Sequence, residues 1–228
     1  FKEEKYDLII LGLQVWYLQP SIPIISFLKS PYADIFKDTP VITVYGIRNM
    51  WINAHNTVKH HISAAKGRLV GNIVLSDNHN NLISVYTITR WLLKGKKEAG
   101  KLFPSAGVSI SDMKNSFRFG PVIYNALENE EYSDLQSKLI NIGAVRVNYH
   151  IMKTELAASR IFKIWADMIL KRSSGNKMKR KRLLKIFKFY LLFVIYVVSP
   201  FSSLVFKTIR LLFRKKTEKE IIKHTSLT

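Results

Sequence analysis

The chain contains no cysteine. Disulfides, thiolate metal sites and cysteine nucleophilic catalysis are therefore excluded for these residues. The absence fits a reducing compartment. Acidic residues are scarce, 16 against 36 Lys and Arg, which leaves a net charge of +20. The scarcity is local. From Lys171 onward Glu218 and Glu220 are the only carboxylates beside 16 basic side chains, whereas the preceding residues are mildly basic. The tail therefore needs its own explanation. No internal repeat or low-complexity tract is visible. The sequence opens on Phe1 and turns strand-like within a few residues, so the expectation is that the true N-terminus lies upstream.

What the tail does have is an uncharged run, FYLLFVIYVVSPFSSLVF, at residues 189–206. As a helix it would be roughly 27 Å long, near the lower limit for a bilayer span. KMKRKRLLKIFK precedes it, and Lys207, Arg210, Arg214, Lys215 and Lys216 follow. Pro200 lies inside the run and removes a backbone donor, so the segment either crosses once with a bend or dips in and returns. Charge on both flanks leaves its orientation open. The cations bracket an apolar segment and do not interleave with polar residues. Membrane lipid is thus the expected partner, and nucleic acid is not.

Upstream, strand and helix alternate. Residues 6–11, 40–45 (PVITVY), 68–75 (RLVGNIVL) and 144–149 (AVRVNY) read as strands. Residues 23–29, 52–65, 85–93, 134–142 and 155–170 read as helices, with a further helix starting near Ser111 or Asp112. Near-continuous apolar strands separated by helices predict an α/β domain with a parallel sheet covered on both faces. The expected boundaries are an α/β domain over 1–172, a basic linker over 173–188, a membrane-embedded or re-entrant segment over 189–206, and a basic tail over 207–228.

In a parallel sheet the strand-to-helix loops emerge at the carboxyl edge, where such folds bind ligands. Three loops qualify: residues 12–21 (GLQVWYLQPS), 46–51 (GIRNMW) and 76–84 (SDNHNNLIS). Trp16, Tyr17 and Trp51 offer flat apolar faces for a planar molecule, with Gln19, Gly46, Asn49 and Asn78 around it. Arg48 supplies a directional donor at its rim. His79 titrates near neutrality and could act as acid or base, with Asp77 orienting it. These residues compose the candidate site: His79, Asp77 and Arg48 for chemistry, the others for the bound molecule. His60 and His61 lie mid-helix without a ligand pair at metal spacing and read as surface, so no metal site is expected.

DLIILGLQVWYLQPSIPIISFL, residues 7–28, resembles the third-strand region of flavodoxin-like FMN proteins and quinone reductases. There the aromatic loop and the loop after the next strand bracket the flavin ring. VWYLQPSIPIISFLKS, GIRNMW, LVGNIVLSDNHNNLISVYTI, FPSAGVS, LQSKLINIGAV and the basic membrane-like C-terminus are together similar to the flavodoxin-like dialkylresorcinol condensing enzymes of bacterial flexirubin-type aryl-polyene pigment clusters.

The resemblance covers nearly the whole chain and carries no catalytic residues across. It implies a doubly wound flavodoxin-like sheet, N-terminally truncated, on the cytoplasmic face of the bacterial inner membrane. FMN would be the cofactor, although the Ser/Thr/Gly-rich phosphate loop and the first two strands of the pattern have no counterpart here. It also implies acyl and β-keto intermediates as substrates and a separate ketosynthase as partner. Without cysteine, a decarboxylative Claisen step through a thioester is a poor fit, so cyclisation or aromatisation of the condensed product is the expected activity. The alternatives are an FMN-dependent NAD(P)H or quinone oxidoreductase and a non-catalytic membrane scaffold.

Overall fold

The computed structural model describes residues 5–77 and 79–227. In chain order the elements are β1 (Ile9–Trp16), β2 (Gln19–Pro20), α1 (Ile22–Leu28), a 3₁₀ turn (Pro31–Phe36), β3 (Pro40–Ile47), α2 (Ile52–Ala64), β4 (Arg68–Ser76) and α3 (Asn81–Lys94). Then come α4 (Ile110–Asn115), a 3₁₀ turn (Ser116–Phe119), α5 (Gly120–Glu128), α6 (Leu135–Asn141), α7 (Tyr149–Ser173), α8 (Lys177–Phe193), a π turn (Val194–Val198), α9 (Ser199–Leu212) and α10 (Arg214–Thr225). The chain divides into two compact units: Phe1–Val147 with Ile222–Thr228, and Asn148–Ile221.

The first unit is mixed α/β. Its sheet has the order β2-β1-β3-β4, with β1, β3 and β4 parallel and the two-residue β2 antiparallel to β1. β-branched and aromatic side chains dominate β3, where Val41, Ile42 and Tyr45 are fully buried. α2 buries Ile52, Ala54, His55, Val58 and Ile62, the spacing of one helical stripe. Gly67 then takes the chain past a spot where a Cβ would lie 2.8 Å from Ile62 Cγ2 and 3.0 Å from the Phe36 backbone oxygen. α3 starts on an Asn80 cap, whose side chain accepts the Leu82 N–H, and stops at Gly95 in the left-handed region. α6 ends in a Schellman turn, with Gly143 N–H donating to Ile140 O and Ala144 N–H to Leu139 O.

Several boundaries differ from the sequence expectation. β1 does not end at Leu11; it continues through the aromatic stretch to Trp16. Residues 12–16 alternate between sheet faces like any strand, and glycine at position 12 does not interrupt the ladder. β3 likewise runs through Gly46 to Ile47. Residues 144–149 form no strand. Ala144 O accepts a single bond from Val74 N–H, and Tyr149 already opens α7. Thr154 is inside α7, where its hydroxyl donates to His150 O, instead of capping the helix. The unit boundary falls at residue 147, not 172, so α7 belongs with the C-terminal helices. Residues 173–188 are no linker: after a left-handed turn at Ser174 and Gly175 they are largely helical, within α8.

The second unit is helical. α7 packs against α8 through Phe162, Trp165, Phe187 and Tyr190, with ring centroids 5.2–5.4 Å apart. α8, the π turn and α9 form one continuous helix, Lys177–Leu212, long and apolar enough to cross a membrane. The chain does not reverse at Pro200. The proline sits in the first turn of α9, directly after the π turn, a register that accommodates its missing N–H.

Candidate functional site

Three parallel strands deliver their carboxyl ends to one edge, where the connections after β3 and β4 emerge, while the expected loop over 12–21 is instead the end of β1, a two-residue hairpin tip and β2. Their side chains divide between two faces, and the division follows from strand pleating. Gln14 of β1 pairs with Gly46 of β3, so both lie on one face. Trp16, two residues on, shares that face, and its indole N–H donates to Gln14 Oε1 at 3.3 Å. Tyr45, one residue before Gly46, points the other way. Trp51 packs on Tyr45 and on His55, at centroid distances of 6.0 and 5.4 Å.

Trp51 is therefore part of the core, 3% exposed, and does not face Trp16 across a planar ligand. This corrects the expectation that the two tryptophans line one cavity. Gly46 remains open, with no atom within 4 Å of where a Cβ would sit.

Tyr17 and Leu18 both have positive φ, 50° and 66°. They form the two-residue tip of the β1–β2 hairpin, a geometry that normally selects Asn-Gly. Tyr17 projects into solvent at the tip. The hairpin is fastened from α2: Asn53 Nδ2 donates to Leu18 O at 2.9 Å and Thr57 Oγ1 to Gln19 Oε1 at 3.4 Å. Gln19 thus serves the hairpin.

Arg48 and Asp77 do come together. Asp77 N–H donates to both Ile47 O and Arg48 O, which ties the end of β4 to the end of β3. Burial lowers the Arg48 pKa to about 10, and the negative charge of Asp77 offsets part of that fall. The Asp77 carboxylate is buried. One oxygen accepts the His79 backbone N–H at 2.9 Å, and the other accepts the Ser84 hydroxyl at 2.8 Å. Asp77 therefore closes an Asx-type turn and anchors α3, and it does not hold the His79 imidazole as the sequence reading expected. The His79 side chain is exposed. Asn49 lies half-buried in the same loop as Arg48. Asn78 lies outside the described residues.

Two features of this edge escaped the sequence reading. Ser84 is fully buried as the partner of Asp77, and Thr87 donates to its carbonyl at 3.2 Å. Polar residues three apart on an inward helix face were the available signal. The second is the pair of Tyr45 and His55, joined at 3.2 Å. Burial, then the charge of Lys59, lowers the His55 pKa to about 4. Burial also raises the Tyr45 pKa. His55 occupies an apolar position of the α2 stripe, which marked it as interior.

Outside β4 a shallow cleft is lined by Val74, Leu75, Ser76, Asp112, Arg118, Gly143 and Arg146. Arg118 is fixed there by donating to Ile142 O and Asn115 O. Among the described residues no group of three or more His, Cys, Asp or Glu could hold a metal ion.

The arrangement offers a cation whose backbone carbonyl accepts the Asp77 N–H and whose charge lies within electrostatic reach of that buried carboxylate, a solvent-facing imidazole two residues after Asp77, and the exposed Trp16 ring on one sheet face. It can bind an anionic or enolate oxygen and exchange protons with bulk solvent. Comparison of the chain with protein-family models, with curated proteins and with solved structures gave no match.

Proposed function

We propose that this chain is a membrane-associated enzyme of dialkylresorcinol biosynthesis, built on a flavodoxin-like α/β unit. It would close and aromatise the condensed β-keto product of a separate ketosynthase. The observation that carries the reading is that one chain joins the Lys177–Leu212 helix to an α/β unit with a polar edge. Substrates with long acyl chains partition into bilayers, and an enzyme held there meets them where they reside. The parallel sheet and the Arg48–Asp77 contact support the same reading.

In this scheme His79 removes a proton from the carbon between two carbonyls. Arg48 binds the enolate oxygen while that carbon forms a bond to a distant ketone carbon. The alkoxide formed there takes that proton back from His79 and becomes a hydroxyl. His79 then removes the second proton of the same carbon, the hydroxyl leaves with it as water, and enolisation of the remaining ketones completes the aromatic ring. Asp77 is a positioning residue that holds the loop of Arg48 and the backbone of His79. The test is reconstitution of the full-length protein with the ketosynthase in vesicles. Resorcinol should form faster with it than without it, and Arg48→Ala and His79→Ala should each lower that gain at least tenfold. Equal rates with and without the protein refute the enzyme reading. An undiminished gain from both variants assigns the chain a scaffold role.

A second reading, an FMN-dependent oxidoreductase, draws on the exposed Trp16 and Tyr17 rings and the open space at Gly46. These residues would furnish one stacking face, while Trp51 is committed to the core and cannot supply the other. When bound, FMN would supply hydride transfer. Titration of the full chain with FMN decides it: quenched flavin fluorescence that Trp16→Ala abolishes favours this reading, and no quenching removes it.

A further inference from the structure

The continuous helix of the second unit touches α7 along one strip and is exposed elsewhere, with Leu192, Tyr196, Val198 and Val205 exposed on the flanks of its main apolar stripe. Phe187 and Tyr190 turn inward onto α7. Ile186, Phe189, Phe193, Val197, Phe201 and Leu204 turn outward and keep 42–70% of their surface exposed. Those six recur at helical spacing and draw one apolar stripe along the rod.

α7 runs antiparallel along the other side. Trp165 is level with Phe187 and Tyr190 at one end, and His150 is within electrostatic reach of Lys207 and Arg210 at the other. Between those points stands Arg160, exposed, level with the interior of the uncharged run. Near the far end Lys153 and Glu220 form an ion pair at 2.7 Å with 30% of each side chain exposed. A rod standing across a bilayer would carry the Arg160 guanidinium to hydrocarbon depth, where exposed charge is strongly disfavoured. A rod lying flat puts the stripe into the acyl boundary and leaves α7 on the water side.

Resting on the membrane association proposed above, we infer that the helical unit lies in the plane of an anionic leaflet and does not cross it. The stripe enters the acyl region to about 5–10 Å. Lys177, Lys179, Arg180 and Lys181 at one end, and Arg214 and Lys215 at the other, meet the headgroups. Charge complementarity selects anionic lipid as the occupant of this face, since the tail from Lys171 holds 16 basic residues against two glutamates.

These 228 residues contain no cysteine, so each substituted site in this chain can be labelled singly. Full-length protein carrying Lys179→Cys or Lys219→Cys is added to preformed sealed vesicles of phosphatidylcholine with phosphatidylglycerol, then treated with a membrane-impermeant maleimide. Both positions should label fully from outside. A position that labels only after detergent shows that the helix crosses and overturns the proposal. Nitroxides at Phe193→Cys and Phe201→Cys should report the same shallow depth, and a steady deepening from one to the other also overturns it. Vesicles of phosphatidylcholine alone should retain at least tenfold less protein, and equal retention refutes the anionic-leaflet assignment. Failure to bind either vesicle removes the membrane reading itself.

Discussion

In the α/β unit Val41, Ile42, Tyr45, Val58 and Ile62 have lost all contact with solvent, and the polar groups among them are paired. In the helical unit Phe201, Leu204 and Leu211 keep 66–81% of their surface exposed. The first unit also exposes apolar side chains at its margins, among them Leu92, Leu93, Leu102 and Phe117, but it encloses a core, whereas in the second only Tyr149, Met152 and Ile169 are buried apolar residues among those described. A sheet with helices on it encloses a central core, because each strand presents two faces and crossover helices return to cover part of them. A helical hairpin covers only the strip where its helices touch, and an apolar residue elsewhere on the rod has no partner in the unit. A contiguous exposed stripe of that kind marks an interaction surface. The first unit is therefore organised around its interior and the second around its exterior.

That contrast can be broken at several points. The largest effect is expected at the exterior. Phe193→Arg with Phe201→Arg removes two aromatics worth about 1.5–3 kcal/mol each on burial, and should lower vesicle partitioning by two orders of magnitude or more. The melting transition of the α/β unit should not move, which circular dichroism on the same sample will report. Next comes the carboxylate inside the first unit. Asp77→Ala leaves the Ser84 hydroxyl and the His79 N–H without their acceptor and Arg48 without its nearby negative charge. It should cost about 3 kcal/mol in chemical denaturation, while vesicle binding stays as it was. A loss below about 0.5 kcal/mol would show that the β3 and β4 loops are held by something else.

The third point is pH. The folded-state pKa of His55, about 4, lies below the ordinary value of 6.5. Between those values the unfolded chain binds a proton that the folded chain does not. The stability from the neutral buried ring is complete above pH 6.5 and is lost as pH falls through 4, by about 3 kcal/mol in all. His55→Gln should flatten this acid limb, as equilibrium denaturation at a series of pH values will measure. The smallest effect belongs to the hairpin. Replacing Tyr17-Leu18 by Asn-Gly relieves two positive-φ positions and should stabilise the unit by about 1 kcal/mol. A loss of stability instead would mean that the packing of the half-buried Leu18 side chain outweighs the backbone relief.

Much of this was legible along the chain. The parallel strands at Pro40–Ile47 and Arg68–Ser76, the α2 stripe, and the stops at Gly95 and Gly143 follow from local rules of propensity and glycine geometry. The Arg48 and Asp77 pairing was legible in part, because both stand one residue past neighbouring parallel strands. What Asp77 does with its oxygens was not legible. Whether a carboxylate caps a turn, anchors a serine or orients a histidine depends on where α3 lies in space. The parting of Trp16 from Trp51 was also hidden, since Trp51 stands past the end of β3 as the residue that opens α2, and where α2 packs decides what its ring touches.

By itself the sequence determined which segments are apolar, how often they recur and where charge collects, because hydropathy and charge belong to residues one at a time. From that follow an α/β unit, a long apolar C-terminal helix and a basic tail. Only the tertiary structure decided which face each aromatic joins, that α7 sides with the C-terminal helices, and that Arg160 stands beside the apolar run. Those are relations between residues far apart in the chain, and packing alone sets them.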